Sequence, residues 1–215
     1  MLIILAKSPV PGRVKTRLCP PATPRQAADL AAAALADTLA AGRAVRSARI
    51  VVALDGAPDA ALHVALDGTT VIAQRGDRLG ERIAAAHADV VGLFPDACTV
   101  QIGMDTPQCD PAVLSRCLDA LAAPSGPDAL LGPAADGGWG ALGLRDPRHA
   151  DLVRDVPTSR ADTGVRTRAA LEAVGLSVAA LPQLTDVDTM VDAHAVARTV
   201  PGSRFAAALS AAVGA

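Results

Sequence analysis

The feature that most constrains this chain is its alternation of short apolar runs with longer Ala/Leu-rich stretches. Leu2 to Ala6 is an apolar run closed by a Pro/Gly loop, and Arg25 to Ala41 follows at helical length behind Pro24. A run of that kind suits a buried strand, and the stretch behind it suits a helix opened by proline. The rhythm recurs. Arg49 to Asp55, Thr69 to Gln74 and Cys98 to Asp105 read as strands, with helices over Asp59 to Leu66, Arg78 to about Val91 and the residues behind Pro111. Later strands are expected at Asp128 to Pro133, Trp139 to Leu144 and Ser177 to Leu184, and helices near Thr163 to Val174, Met190 to Val200 and Ser203 to Val213. Strands alternating with helices predict an α/β fold, a mostly parallel sheet covered on both faces.

One stretch breaks the rhythm. "DALLGPAADGGWGALGL" holds two strands around a Gly-rich turn with no room for a crossover helix, so an antiparallel element near the sheet edge is expected. With 215 residues, no repeat and no long linker, residues 1–215 read as a single domain.

In an open α/β sheet, ligands bind beyond the carboxyl ends of the strands, and the loop after the first strand leads to a helix N-terminus that favours anions. That loop here is Lys7 to Arg17. It carries Lys7 and Lys15, the only two lysines among 20 Lys+Arg residues, with Arg13 and Arg17 beside them. Gly12 would permit close backbone approach and Thr16 would offer a hydroxyl. Four cations suit a di- or triphosphate: guanidinium forks grip phosphate oxygens in a fixed plane, and lysine supplies a movable point charge. The alternative is a merely solvated basic loop. "PGRVKT" lacks the GxxxxGK[ST] spacing of a P-loop.

Asp105 falls at the end of the fourth strand, on the same edge. A carboxylate facing a phosphate loop suits Mg²⁺, which typically takes one or two carboxylates plus phosphates and waters. Asp186 and Asp188 in "LTDVDTMVDA" share a side if the segment is extended and could complete the site, although Asp188 or Thr189 could instead cap the next helix. Asp110 reads as the cap ahead of Pro111. Trp139, the only tryptophan in a chain that is 1% aromatic, is either a ligand-facing ring or a core anchor. Asp136 offers an acceptor beside it. Gln74 could read a base edge, and Arg75 a phosphate.

A net charge of −2 gives no reason to expect a nucleic-acid partner, and no stretch reaches the roughly 20 apolar residues of a membrane span. A cytoplasmic protein is the default expectation. Four cysteines without a CxxC pair point to reduced, structural thiols. The Ala-rich helices could bury a homodimer face or only pack on the sheet.

Taken together, "AKSPVPGRVKTRL", "QRGDRLGER", "IGMDTP", "LGPAADGGWGALGL" and "DVDT" make the chain resemble a bacterial family of glycosyltransferase-A-like (GT-A-like) proteins described as nucleotide-diphospho-sugar transferases. More distantly it is similar to phospholactate and molybdenum-cofactor guanylyltransferases. The resemblance implies a Rossmann-like, nucleotide-binding transferase domain with a Mg²⁺ site. By position, Lys15 and Arg17 would bind nucleotide phosphates, and Asp105 would hold Mg²⁺ with Asp186 and Asp188. Where such proteins often carry a Tyr pair after the double Gly, this chain has Trp139 and Gly140, and "DVPTSRADTG" lacks their Trp, which implies an altered acceptor pocket. The expected activity is nucleotidyl transfer from a nucleoside triphosphate to a small phosphate- or phosphonate-bearing acceptor. The alternatives are glycosyl transfer from a nucleotide-sugar and an inactive nucleotide-binding regulator.

Overall fold

The computed structural model of the chain describes residues 1–46, 48–183 and 185–213. Among these residues, seven strands form one sheet: β1 (Leu2–Lys7), β2 (Ile50–Asp55), β3 (Thr70–Ala73), β4 (Thr99–Gly103), β5 (Ala129–Pro133), β6 (Trp139–Leu144) and β7 (Val178–Ala180). Their order is β3-β2-β1-β4-β6-β5-β7. All neighbouring pairs run parallel except those of β6, which is antiparallel to both β4 and β5. The reversed strand thus lies inside the sheet, with β5 and β7 outboard of it.

Among the described residues, seven α-helices surround the sheet: α1 (Pro24–Ala44), α2 (Ala60–Ala65), α3 (Leu79–Leu93), α4 (Pro111–Ala122), α5 (Thr163–Glu172), α6 (Met190–Thr199) and α7 (Arg204–Val213). None of them is long and apolar enough to cross a membrane. The strand pattern explains their distribution. Leu2, Ile4, Val52, Val100 and Ile102 point to one face and pack on α1, α2 and α4, whereas Ile3, Val51, Leu131 and Leu142 point to the other, toward α3 and α5. Fully burying a side chain of this size is worth about 1.5–3 kcal/mol, so a strand loaded on both sides needs helices on both sides.

Helix starts follow local chemistry. Thr23 and Gln26 form a reciprocal capping box with Pro24 in the first turn of α1, and Asp110 accepts from the Ala112 amide (2.8 Å) ahead of α4. The expected strand over Ser177 to Leu184 is shorter, Val178–Ala180. Its Leu184 lies outside the described residues, and Pro182 has no amide hydrogen with which to extend the ladder. Two short 3-10 helices, Thr16–Leu18 and Pro147–Val153, were not expected.

One packing cluster positions the functional loops. The second flank of α1 (Ala27, Leu30, Ala34) packs with α6 and α7 around Phe205, and this cluster also buries Leu18 and Val187. Leu18 follows Arg17 directly, and Val187 sits between Asp186 and Asp188. Burial of these two side chains therefore draws the lysine loop and the Asp-Val-Asp segment together from opposite ends of the chain.

Candidate functional site

A cleft of about 750 Å³ opens at the carboxyl ends of β1 and β4. That volume is ordinary for a small-molecule site. It is bordered by Lys7, Arg13, Lys15, Thr16 and Arg17 from the first loop, by Gln74, by Asp105, by Asp136 and Trp139, and by Asp186 and Asp188. The residues singled out in the sequence thus converge, with two exceptions: Arg75 does not border the cleft and pairs with Asp89 at 2.6 Å, and Gly12 also lies outside it. A side chain placed at Gly12 would meet nothing within 4 Å. Its φ of +75° is a conformation that glycine adopts readily, and it serves the turn.

Lys15 is the centre of the arrangement. It adopts a left-handed conformation (φ 48°, ψ 39°), unusual for a residue with a side chain, and only 11% of its side chain is exposed. The ammonium is paired with Asp105 and lies 3.1 Å from Asp188 Oδ1, while Arg17 Nη1 reaches Asp188 Oδ2 at 3.3 Å. Burial works against the lysine charge, but Asp105 and Asp188 outweigh it and hold the pKa above the ordinary lysine value. Thr189, not Asp188, caps α6 by accepting from the Asp192 amide, which leaves the Asp188 carboxylate to the cations.

Asp186 differs from its neighbours. Its pKa is pushed up to about 7, first by burial and then by the charge of Asp105. Its Oδ1 is buried without a hydrogen-bond partner. An orphaned carboxylate oxygen beside two further carboxylates is the donor set a hard divalent cation takes, so Asp105, Asp186 and Asp188 fit Mg²⁺ or Mn²⁺ chemically. They are not gathered into a ready cluster: among the described residues, no three His, Cys, Asp or Glu side chains converge closely enough to hold an ion. The Lys15 ammonium sits where Asp105 and Asp188 face each other.

Other residues acquire defined roles from their bonds. Lys7 lies 3.9 Å from Asp55 Oδ2, which also accepts from Arg82 at 3.0 Å, so the two lysines use different carboxylates. The Gln74 amide nitrogen donates to the carbonyls of Ala6 and Ala53, both at 2.8 Å. Only its Oε1 remains for a ligand, which makes Gln74 an acceptor. Trp139 is held by its indole N–H to Thr167 Oγ1 (2.9 Å) and packs on the α5 side of the core while bordering the cleft, so the anchor and ligand-facing readings both describe it. Asp136 Oδ1 accepts from the Gly138 amide (2.9 Å) and shapes the turn between β5 and β6.

That turn is tightly specified. Gly137 has φ +85°, and a β-carbon there would collide with the Ala161 carbonyl. The Gly137 carbonyl in turn accepts from the Gly164 amide at 2.8 Å. A Gly137→Ala variant is expected to lose at least about 1–3 kcal/mol from backbone strain, read as a lowered denaturant midpoint at unchanged m-value.

Sequence reasoning missed Gln101, Arg82 and Asp55. Gln101 is a buried polar residue on β4 that borders the cleft with its Oε1 unpartnered. The available signal was a lone amide inside the apolar run "TVQIG", where an unpaired polar group is costly to bury.

The fold and the cleft together define a GT-A-like α/β protein with a cationic first loop facing carboxylates. Residues 38–160 match the family described as an uncharacterized protein conserved in bacteria (DUF2064), and the chain belongs to that family. No curated protein matches the chain. Among solved structures, a provisionally named nucleotide-diphospho-sugar transferase from Desulfovibrio desulfuricans G20 is 29% identical, with a TM-score of 0.83 over 97% of this chain and 93% of that one. Rv0371c from Mycobacterium tuberculosis H37Rv, in complex with manganese, is 24% identical, with a TM-score of 0.55 over 91% and 96%. CMP:2-keto-3-deoxy-manno-octonic acid synthetase in complex with CTP shares the fold at 12% identity, with a TM-score of 0.58 over 94% and 98%.

Proposed function

We propose that this protein is a divalent-metal-dependent nucleotidyltransferase that moves a nucleoside monophosphate from a nucleoside triphosphate to a small phosphate- or phosphonate-bearing acceptor. The observation that carries the reading is the meeting of Lys15 and Arg17 with Asp105 and Asp188 at the carboxyl edge of β1 and β4. In the reaction, an acceptor oxygen attacks the α-phosphorus, the bond to the bridging oxygen breaks, and pyrophosphate leaves with the electron pair. Lys7, Arg13, Lys15 and Arg17 bind the triphosphate and meet the charge that grows on the departing oxygens. Gln74 Oε1 accepts from a donor on the base edge. Trp139 offers an apolar surface to the base, the sugar or the acceptor. A divalent cation held by Asp105, Asp186 and Asp188 supplies Lewis-acid neutralisation of phosphate charge when bound.

The test is product analysis with each of the four nucleoside triphosphates, Mg²⁺ or Mn²⁺, and a panel of phosphate- and phosphonate-bearing acceptors. Pyrophosphate release is expected, with a fall of about 10²-fold or more in a Lys15→Ala variant that still folds. Tight nucleotide binding without turnover on the whole panel would instead describe a regulatory protein. A second reading, glycosyl transfer from a nucleotide-sugar, is favoured by the high structural similarity to the Desulfovibrio protein, whose name describes that chemistry. It predicts a nucleoside diphosphate as the product.

A further inference from the structure

The place between Asp105 and Asp188 is filled by this chain's own cation. Lys15 pairs with both carboxylates, while the Oδ1 of Asp186 beside them is buried with no partner. With all three aspartates ionised and Arg17 paired to Asp188, withdrawing Lys15 leaves the group at a net charge of −2, matched to one divalent ion. With Lys15 present the group stands at −1, and its facing oxygens are taken. Lys15 borders the cleft, and although Val14 before it is buried in the core, Pro11 to Arg13 are exposed, so rotation of the lysine side chain toward the cleft needs no movement of the core.

We propose that Lys15 is a tethered counter-cation, and that its release from Asp105 and Asp188 admits the divalent ion and delivers the ammonium to the ligand's phosphates in one exchange. The inference rests on the reading of the three aspartates as a metal site and adds how that site is governed. Ion and phosphate then assist each other. An ion that displaces Lys15 frees it for phosphate, and a phosphate that attracts Lys15 opens the carboxylates, a coupling that must be equal in both directions. A lysine suits this use because its charge sits on a long, rotatable stem, unlike the planar guanidinium used elsewhere in the chain.

The chain's lysine content makes the exchange directly readable, since Lys7 and Lys15 are the only two ε-amines. The experiment is acylation of the wild-type protein by an amine-reactive ester, with and without MnCl₂ and with no nucleotide present, resolved by peptide mass spectrometry. Lys7, with 46% of its side chain exposed and its carboxylate partner on β2, is the internal reference. The labelling ratio of Lys15 to Lys7 is expected to rise at least fivefold at saturating Mn²⁺. In parallel, a Lys15→Met variant is expected to bind Mn²⁺ at least tenfold more tightly than wild type, by calorimetry or by electron paramagnetic resonance of the free ion. An unchanged ratio at saturating Mn²⁺, or equal or weaker Mn²⁺ binding by a folded Lys15→Met protein, overturns the exchange and leaves the metal site standing. Mn²⁺ binding to neither protein overturns both the exchange and the metal reading. Should Lys15→Met fail to fold, the wild-type labelling ratio decides alone.

Discussion

An Asp105→Asn variant is expected to keep its fold and lose about 10²–10³-fold in turnover, the scale of removing one preorganised electrostatic contact from a phosphoryl-type transition state. The change is nearly isosteric, and the backbone is held independently, with the Asp105 carbonyl accepting from the Val187 amide at 3.3 Å. Two stability effects oppose each other. Losing a charged hydrogen bond to Lys15 costs about 1.5–3 kcal/mol, whereas removing the negative charge relieves the buried Asp186 carboxyl, whose pKa that charge helps to raise. A denaturation curve close to wild type beside collapsed turnover is the expected pair of results. Full turnover in Asp105→Asn would remove this carboxylate from the mechanism.

The second large effect is an acid-dependent contribution to stability from the buried contact of α3 with β4. His87 on α3 is fully buried against β4, with its Nδ1 3.0 Å from Thr99 Oγ1 and its Nε2 unpartnered. Burial, only partly offset by the Gln101 side chain, lowers its pKa from 6.5 to about 4. The native state therefore keeps this ring neutral in a range where the unfolded chain protonates it. Stability from this group is complete above pH 6.5 and is lost as pH falls toward 4, by up to about 3 kcal/mol. Asp186, with its pKa raised to about 7, gains stability over the same fall in pH and opposes this loss, so the His87 effect is read by difference: in urea denaturation at pH 7.0 and 4.5, a His87→Gln variant should lose less stability, or gain more, than wild type between the two values, whatever its stability at neutral pH. An unchanged difference between the two proteins would remove His87 from the acid response.

Much of the fold was legible because its strands are buried on both faces. Leu2 to Ala6 and Ile50 to Leu54 are continuous apolar runs that only a covered sheet accommodates, and Pro24 and Pro111 mark helix starts that the structure confirms. The Pro147–Val153 segment was not legible, since a short 3-10 helix has no 3.6-residue periodicity to display. In the site, chain order and strand ends were enough to group the lysine loop with Asp105. What pattern alone left open was the pairing of Lys15 with Asp188, 173 positions away, and the choice between Asp188 and Thr189 as helix cap. Both depend on the rotation of an extended segment, and that rotation is set by burial of Val187 in a cluster whose members are spread from Leu18 to Leu209.

The reversed strand β6 has a consequence for how such a protein diverges. Because β5 runs toward the cleft and β6 runs back, the tip joining them, Ala134 to Gly138, hangs beyond the last paired rung, Pro133 with Trp139. Residues added to that tip disturb no strand pairing, and the closure entropy of a longer loop rises only slowly with length. Gly137, pinned against Ala161 and the Gly164 amide, sets the limit: the wall that a second substrate meets can be remodelled only around that anchor, while the lysine loop and the aspartates, carried by other parts of the chain, are left undisturbed.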